Sequence, residues 1–290
     1  MIDTVTLALT LLWGIAIGCI YILMAAGLNL IFGVMKIVNF AHGQFLMLGA
    51  YMCYWAWFLL GINPYAAVLL SMAVVTVVGV AVERLCFSRI LGTSKLNEIF
   101  ISLGLIYIFD YSAVLFWTDK PKSIVTPFEY SVLSLGIVSI SYDWLISIAV
   151  VSVILVGLFV LLEKTKIGRA MRATSQDRVA AMLMGINVDK VYVTSFGVGS
   201  ALAAAAGSLF GIIFSLDPYM GSLPAVKAFA IIILGGLGSI SGAIVGGLLY
   251  GLAENTATFF LGGIWRHAVA FALLIAVLVI RPTGLFGEGK

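Results

Sequence analysis

Charged residues are scarce in this sequence. Asp, Glu, Lys and Arg together make up 10% of its 290 residues, whereas hydrophobic residues make up 62%. A soluble domain typically carries about 25% charged residues, so this chain has too few to cover a surface that faces water. It also has too little polar sequence for a second, soluble domain. We therefore expect one membrane domain over residues 1–290, with lipid as the solvent for most of its surface.

Cysteine, histidine and nucleotide-binding motifs are also sparse or missing. Cys19, Cys53 and Cys86 are dispersed among apolar residues without a CxxC pair, which is typical of small core residues rather than of disulfides or metal ligands. His42 has no second ligand within reach in the sequence, so we expect no metal site. The sequence has no basic run of the kind that indicates binding to nucleic acid. The sequence has no G-x-x-x-x-G-K-[ST] phosphate loop, so any ATP-driven step would be powered by another chain. We expect no cofactor and no catalytic residues.

Long apolar runs dominate what remains. A membrane-spanning helix needs roughly 20 apolar residues, and lipid offers backbone groups no partners except one another. The first run has no basic segment before it and is longer than the apolar core of a cleaved signal peptide. We therefore expect it to be retained as a membrane span. The sequence thus predicts an all-α polytopic membrane protein with about eight transmembrane helices. The runs fall near 7–33, 44–61, 64–87, 98–118, 144–163, 191–216, 226–258 and 264–281.

The positions of Lys and Arg predict an orientation, because cytoplasmic loops carry an excess of both. Twelve of the 16 basic residues fall on one side if the N-terminus is outside. We therefore expect a periplasmic N-terminus and a cytoplasmic C-terminus. The four on the other side are Lys120, Lys122, Lys227 and Arg266. The twelve are Lys36, Arg84, Arg89, Lys95, Lys164, Lys166, Arg169, Arg172, Arg178, Lys190, Arg281 and Lys290.

The run 226–258 is interrupted by a Gly/Ser stretch at 235–242. The orientation requires this run to begin and end outside, so we predict a broken or re-entrant hairpin in which the short arm 226–236 spans about 16 Å. A plain helix–helix contact through small residues is the alternative. The stretch 39–44 before the second run has a similar pattern, so we also consider a weak internal repeat.

The segment 163–190 is the longest one on the predicted cytoplasmic side. Apolar and polar residues recur at helical spacing from Arg169 to Met184, and Gly185 and Asn187 follow as a C-cap would. The sequence therefore predicts one short amphipathic helix between two spans. Such a helix can lie in the lipid interface, or it can dock into a groove on a partner protein.

Three motifs resemble one transporter family. Ala180-Ala181, followed after three residues by Gly185-Ile186, resembles the EAA…G coupling loop of ABC importer permeases, with Val179 where the motif has Glu. The same loop, through 168–173 and 185–187, resembles that of the permeases of branched-chain amino acid importers of the LIV type, and so do the runs 27–43 and 281–287 (Arg-Pro-Thr-Gly-Leu-Phe-Gly). The resemblance covers essentially the whole chain.

This resemblance implies a permease subunit in the bacterial inner membrane that forms half of a pathway for branched-chain or other amino acids. It implies a homologous second permease, two cytoplasmic ABC ATPases and a periplasmic substrate-binding protein as partners. It implies a coupling loop at 164–190 that contacts the ATPases. The coupling residues would be Arg169, Arg172, Arg178, Ala180, Ala181 and Gly185.

A second set of residues could line or gate the pathway. Asn39 and His42 precede an apolar run, where they could form a gate through side-chain-to-backbone bonds or cap the following helix. Asp110 is an acid inside an apolar run, at about 12 Å from its end, so it could touch substrate or approach the outer headgroups. The other candidates are Gly43, Gly236, Ser239 and Ser241.

Three alternatives remain open. Permeases for urea or short amides are closely similar, and nothing in the sequence separates their substrates. An ion-coupled transporter would need buried carboxylates or histidines near the midplane. An intramembrane serine hydrolase would need Ser241 and His267 within hydrogen-bond reach, although His267 is predicted near the outer interface.

Overall fold

The computed structural model describes residues 4–129, 131–135 and 138–287, and within them the chain forms eleven α-helices and one pair of antiparallel strands. The helices are α1 Thr4–Met35, α2 His42–Leu60, α3 Pro64–Leu85, α4 Lys95–Trp117, α5 Tyr142–Lys164, α6 Lys166–Gln176, α7 Arg178–Leu183, α8 Val188–Ile213, α9 Ser222–Gly235, α10 Ile240–Leu261 and α11 Arg266–Ile280. The strands are β1 Val132–Leu135 and β2 Val138–Ser141.

Eight helices in the described residues are long and apolar enough to cross a membrane: α1 to α5, α8, α10, and α11 with the 3-10 turn before it. Seven of them overlap seven of the apolar runs, and α10 forms the second part of the interrupted run 226–258, which confirms an all-α polytopic membrane protein. Lys290, one of the twelve basic residues, lies outside the described residues.

The centre of the bundle is formed by α1, α2, α8 and α10, whereas α4, α5 and α11 lie at its periphery. In the most apolar part of α8, 78% of the residues are buried, compared with 6% for α11. Helix α1 packs against α8 and α10, and α8 packs in turn against α2 and α3. The peripheral helices therefore present most of their surface outward, as expected for helices that face lipid or another subunit.

Small residues allow the central helices to approach closely. A Cβ atom on Gly207 of α8 would overlap the backbone of Leu46 in α2, and one on Gly49 would overlap Ala204. Ser208 donates a hydrogen bond to the Gly49 carbonyl at 3.1 Å. Glycine and serine at such contacts let helix backbones pack together without a driving force from water.

The two ends of the bundle differ in charge. We call the end where α1 finishes the basic end: Lys95 Nζ lies 2.8 Å from the Lys36 carbonyl there, and α6 packs against α1 and against the last turn of α5. The opposite end carries β1 and β2. There Lys122 and Leu216 pair through two backbone hydrogen bonds of 2.9 and 2.8 Å.

Two helices begin inside the bundle rather than at an end. His42, the first residue of α2, contacts the Met24 carbonyl in α1, which lies 11 residues or about 16 Å before the end of α1 at Met35. Gly221, which precedes α9, contacts Gly43 so closely that a Cβ on either glycine would overlap the other. Both α2 and α9 therefore start near the middle of the bundle.

The predicted interruption after residue 235 is present. Helix α9 has 14 residues, spans about 21 Å, and ends at Gly235 near the basic end, where a turn leads into the long helix α10. The short arm begins at Ser222, four residues earlier than predicted. The internal repeat remains a prediction.

Candidate functional site

The start of α2 brings three of the predicted pathway residues together. Asn39, His42 and Gly43 are buried. Asn39 Oδ1 accepts a hydrogen bond from the Ala41 N–H at 3.0 Å, which is a turn contact just before α2 and not a cap of that helix. His42 does not cap α2, because its Nε2 lies 3.2 Å from the Met24 carbonyl oxygen and links α2 to α1. A carbonyl only accepts, so Nε2 carries the donated proton.

Asp110 also faces this region. Its side chain is buried, and its Oδ1 accepts a hydrogen bond from Gln44 Nε2 in the first turn of α2 at 3.2 Å. Asp110 on α4 therefore contacts α2 within the protein, and both of its proposed roles stay predictions. Gln44 was not predicted, although a polar residue in the first turn of an apolar helix was a usable signal.

The remaining pathway candidates lie at the basic end, on the turn between α9 and α10. Asn29 of α1 clamps this turn: its Nδ2 donates to the Ser239 carbonyl at 2.6 Å, and its Oδ1 accepts from the Gly238 N–H at 2.6 Å. Ser239 Oγ caps α10 by accepting from the Gly242 N–H at 3.0 Å. Gly236 has a φ of +106°, a conformation that other residues adopt at a cost.

The C-terminal tail completes this turn. The N–H groups of Leu285 and Phe286 donate to the carbonyls of Leu234 and Gly235 at 2.9 Å each. These carbonyls belong to the last turn of α9, where a helix leaves backbone oxygens without partners. The tail therefore satisfies and fixes the end of α9. Ser241, by contrast, is exposed in the first turn of α10.

Ser241 and His267 cannot act as a nucleophile and base in this arrangement. His267 Nδ1 lies 3.8 Å from Glu254 Oε1, and Glu254 follows Ser241 by 13 residues on the same helix, a rise of about 20 Å. A serine nucleophile needs its base within hydrogen-bond reach.

A buried cluster of charged residues joins α1, α9, α10 and α11. Lys227 Nζ lies 2.6 Å from Glu254 Oε1 and 2.6 Å from the Tyr21 hydroxyl, and Arg266 Nε lies 3.0 Å from the same carboxylate oxygen. Lys227 is 4% exposed and Glu254 is fully buried. Lys227 was counted among the four basic residues of the outer side, and the short helix α9 buries its side chain within the protein.

The predicted coupling segment forms two helices instead of one. The periodic pattern from Arg169 to Met184 is interrupted at Asp177, whose Oδ1 accepts from the N–H groups of Val179 and Ala180 at 2.8 and 3.0 Å and so starts α7. Gly185 does end α7, with a φ of +81°. The single amphipathic helix is thus corrected to a helix–cap–helix arrangement.

Contacts hold α6 and α7 on the bundle. Arg172 forms an ion pair of 3.1 Å with Glu163 and also donates to the Leu162 carbonyl at the end of α5. Arg178 lies over the Tyr192 ring, 5.6 Å from its centroid, while Ala181 is buried. Arg169, Ala180 and Gly185 are exposed.

The outer face of α7 is apolar and uncovered within the described residues. We call it the α7 tip. It consists of Val179, Met182, Leu183 and Met184, of which the last two are 83% and 82% exposed. An exposed apolar patch that projects from the basic end is typical of a protein-binding surface.

Comparison with known proteins identifies the family. Residues 10–278 match the family described as branched-chain amino acid transport system / permease component. The chain belongs to this family. It is 33% identical to the high-affinity branched-chain amino acid transport system permease protein BraD of Pseudomonas aeruginosa, over 95% of this chain and 94% of that protein.

Two further relatives cover nearly the whole chain. The LivH permease protein of the high-affinity branched-chain amino acid transport system of Escherichia coli is 30% identical, over 95% of this chain and 94% of its own length. A probable branched-chain amino acid transport permease protein LivH of Methanocaldococcus jannaschii is 31% identical, over 92% and 88%. The resemblance seen in the three sequence motifs is thereby confirmed, and the chain is a multi-pass membrane protein of a LivH-like permease family.

Proposed function

We propose that this chain is the transmembrane permease subunit of an ATP-driven importer and forms half of the pathway for branched-chain or other amino acids. It works in the inner membrane with its basic end toward the cytoplasm. Its partners are a homologous second permease, two cytoplasmic ABC ATPases and a periplasmic binding protein. The relatives named for branched-chain amino acid transport support this assignment, as does the absence of a phosphate loop from the sequence.

The α7 tip is the observation that carries the ATPase-driven part of the proposal. Leu183 and Met184 project from the basic end and have little cover from the rest of the chain, whereas Ala181 on the opposite face is buried against it. A short helix with an exposed apolar face fits a groove on a partner protein. Arg178 begins α7, and Arg169 and Arg172 lie on the preceding helix α6, so α6 and α7 together form the ATPase-coupling segment.

The pathway follows α9 in this proposal. Asn39, His42, Gly43 and Asp110 lie where α9 begins, near the middle of the bundle, and Gly236, Ser239 and Ser241 lie where it ends. Helix α9 thus connects two groups of residues that lie 126 to 202 positions apart in the sequence. Non-helical backbone at such depth is tolerated where it lines a cavity or is covered by protein.

The buried charges bear on the ion-coupled alternative. Glu254 is a fully buried carboxylate, the kind of residue that carries a coupling ion. However, Lys227 and Arg266 both pair with it, so its charge is already compensated by the protein. The ATP-driven proposal is therefore favoured, and Glu254 is assigned a role in holding α9 in place.

Replacement of Leu183 by Asp tests the coupling segment. The substitution places a charge in the surface that should enter the ATPase. An unpaired buried charge costs more than about 1.4 kcal/mol, so ATP-driven uptake in proteoliposomes should fall at least about tenfold. The thermal midpoint of the purified permease should not change, because Leu183 makes little contact with its own chain.

Leu96→Asp is the matched control. Leu96 is an exposed leucine at the same end of the bundle, but it lies in the first turn of α4, where a carboxylate is well tolerated. Uptake by this variant should stay close to that of the unchanged protein. Equal uptake by the Leu183 and Leu96 variants would disprove the coupling assignment.

A further inference from the structure

A polar cavity lies at the end of the bundle that carries β1 and β2. It is bounded by the segment 123–129, the first residues of α5 and the last turn of α8, and its volume is about 280 Å³. The carboxylates of Glu129 and Asp143 line it, and none of its described lining residues is Lys, Arg or His. The cavity is therefore negatively charged, and it has room for one long side chain.

Asp143 supplies the buried carboxylate of this cavity. It is 9% exposed, and its Oδ1 accepts hydrogen bonds from the Tyr65 hydroxyl at 2.6 Å and from the Thr126 hydroxyl at 2.7 Å. Its Oδ2 accepts none within the described residues, and this oxygen keeps accessible surface where Asp143 lines the cavity. A largely buried carboxylate oxygen without a donor is costly, so a cation that enters the cavity is favoured there.

The end of α8 adds further acceptors to the same cavity. Gly211, Ile212 and Ile213 all line it, and their carbonyls belong to the last turn, where a helix leaves backbone oxygens without partners. Within the described residues these three carbonyls accept no hydrogen bond. The C-terminal end of a helix also carries a partial negative charge. The last turn of α8 therefore favours a cation in the same place as Asp143 does.

The lining indicates which cation fits. The carboxylate of a free amino acid would meet two carboxylates and no cationic side chain, so the cavity does not suit a zwitterion. A hard metal ion uses oxygen ligands on all sides, whereas Trp144 and Phe214 line part of this cavity with rings whose centroids lie 6.1 Å apart. The side chain of Lys or Arg uses both surfaces, because its charged head pairs with a carboxylate while its methylene stem packs on aromatic rings.

We propose that this cavity binds a Lys or Arg side chain of the periplasmic binding protein and so determines where that protein docks on the permease. The inference rests on the proposed function, which places this end of the bundle toward the periplasm, and it adds the residues and the charge that the docking contact uses. Glu129 is exposed, so it attracts the basic side chain before Asp143 binds it.

Glu129→Lys tests the charge of the cavity. The measurement is the dissociation constant of the binding protein for the complete importer in lipid nanodiscs, at about 0.1 M salt. A like charge at the cavity should weaken binding at least about tenfold. The difference from the unchanged importer should shrink at about 1 M salt, because the Debye length falls to about 3 Å.

Asp119→Lys is the matched control. Asp119 is another exposed acid at this end of the bundle, but it does not line the cavity. The substitution changes the net charge by the same amount, so binding of the periplasmic protein should stay close to that of the unchanged importer. Equal weakening by the Glu129 and Asp119 variants, or no weakening by either, would overturn the proposed contact.

Asp143→Asn tests the buried carboxylate separately. Asparagine has a similar volume and keeps an oxygen that can accept from Tyr65 and Thr126, but it removes the charge. Binding should again weaken about tenfold or more, whereas the thermal midpoint of the purified permease should stay close to that of the unchanged protein. A lower midpoint with unchanged binding would show that Asp143 only holds the fold together.

Each alternative occupant gives a different result. If Glu129→Lys prevents copurification of the second permease, the cavity is a contact between the permeases and the proposal is wrong. If a chelator weakens binding of the periplasmic protein and calcium restores it, the cavity holds a metal ion and the proposal is also wrong. The proposed function is tested apart from the cavity, because absence of ATP-driven uptake by the unchanged importer would contradict it whatever the variants do.

Discussion

At the residue scale, the buried cluster of Lys227, Glu254 and Arg266 places three charged side chains together inside the protein. Lys227, Glu254 and Arg266 meet in a protein whose solvent is mostly lipid, where an isolated charge is costly. Pairing and the hydrogen bond from Lys227 to Tyr21 offset that cost. Because Lys227 lies on α9 and Glu254 on α10, the cluster fixes the first half of α9. The hydrogen bonds of Asn29 hold the turn that follows the end of α9.

Removal of one charge should show this dependence. Glu254→Gln leaves two cations without their carboxylate, whereas Lys227→Met leaves Glu254 still paired with Arg266. Breaking a buried pair costs about 3–5 kcal/mol, so Glu254→Gln should lower the thermal midpoint of the purified permease more than Lys227→Met does. The double variant Lys227→Met/Glu254→Gln should be more stable than Glu254→Gln alone, because only the partly exposed Arg266 then lacks a partner. A Glu254→Gln variant as stable as the unchanged protein would contradict this account of the cluster.

The sequence could not reveal this cluster. Lys227 and Glu254 are 27 positions apart, and each lies near the edge of an apolar run, where hydropathy alone assigns it to an interface. Only the fold brings α9 back into the bundle and sets the two side chains against each other. Asp110 was recognisable as an acid inside an apolar run, but its partner Gln44 is 66 positions away.

At the element scale, small residues determine how α2 and α8 cross. Gly207→Val should destabilise this crossing, because the added side chain would overlap the Leu46 carbonyl. Overpacking of this kind costs about 1–3 kcal/mol, measured as a lower thermal midpoint. Gly104→Val is the control, since a Cβ at Gly104 on the peripheral helix α4 has no neighbour within 4 Å. If both valine variants lose the same stability, helix propensity rather than close packing explains the effect.

The membrane-spanning helices could be predicted from hydropathy, because the backbone N–H and C=O groups of an apolar segment in lipid must form hydrogen bonds within that segment. The interruption before α10 was visible as a Gly/Ser stretch. The break between α6 and α7 was missed, although Asp177 is a common N-cap residue and was the available signal. The periodicity of apolar residues continues across that break, so pattern alone could not separate one helix from two.

At the scale of the whole molecule, the orientation is the next testable property. We expect the basic end to face the cytoplasm, so a cysteine at Gln176 should react with a membrane-impermeant thiol reagent only after the cells are opened. A cysteine at Ser123 should react in intact cells once the outer membrane is permeabilised. Both positions are exposed, and a Cys86→Ser background removes a partly exposed native thiol near the basic end. The reverse labelling pattern would overturn the orientation.

The central claim is that this permease carries amino acids only when partner ATPases hydrolyse ATP. The most direct measurement is leucine accumulation in proteoliposomes that contain the permease pair and the ATPases, supplied with the binding protein. We predict that leucine accumulation requires ATP on the side of the membrane where the ATPases are bound, and that it persists with a protonophore. Isoleucine and valine should compete with leucine, whereas urea should not. Accumulation driven by an ion gradient without ATP, or leucine uptake unaffected by isoleucine and valine, would contradict the account.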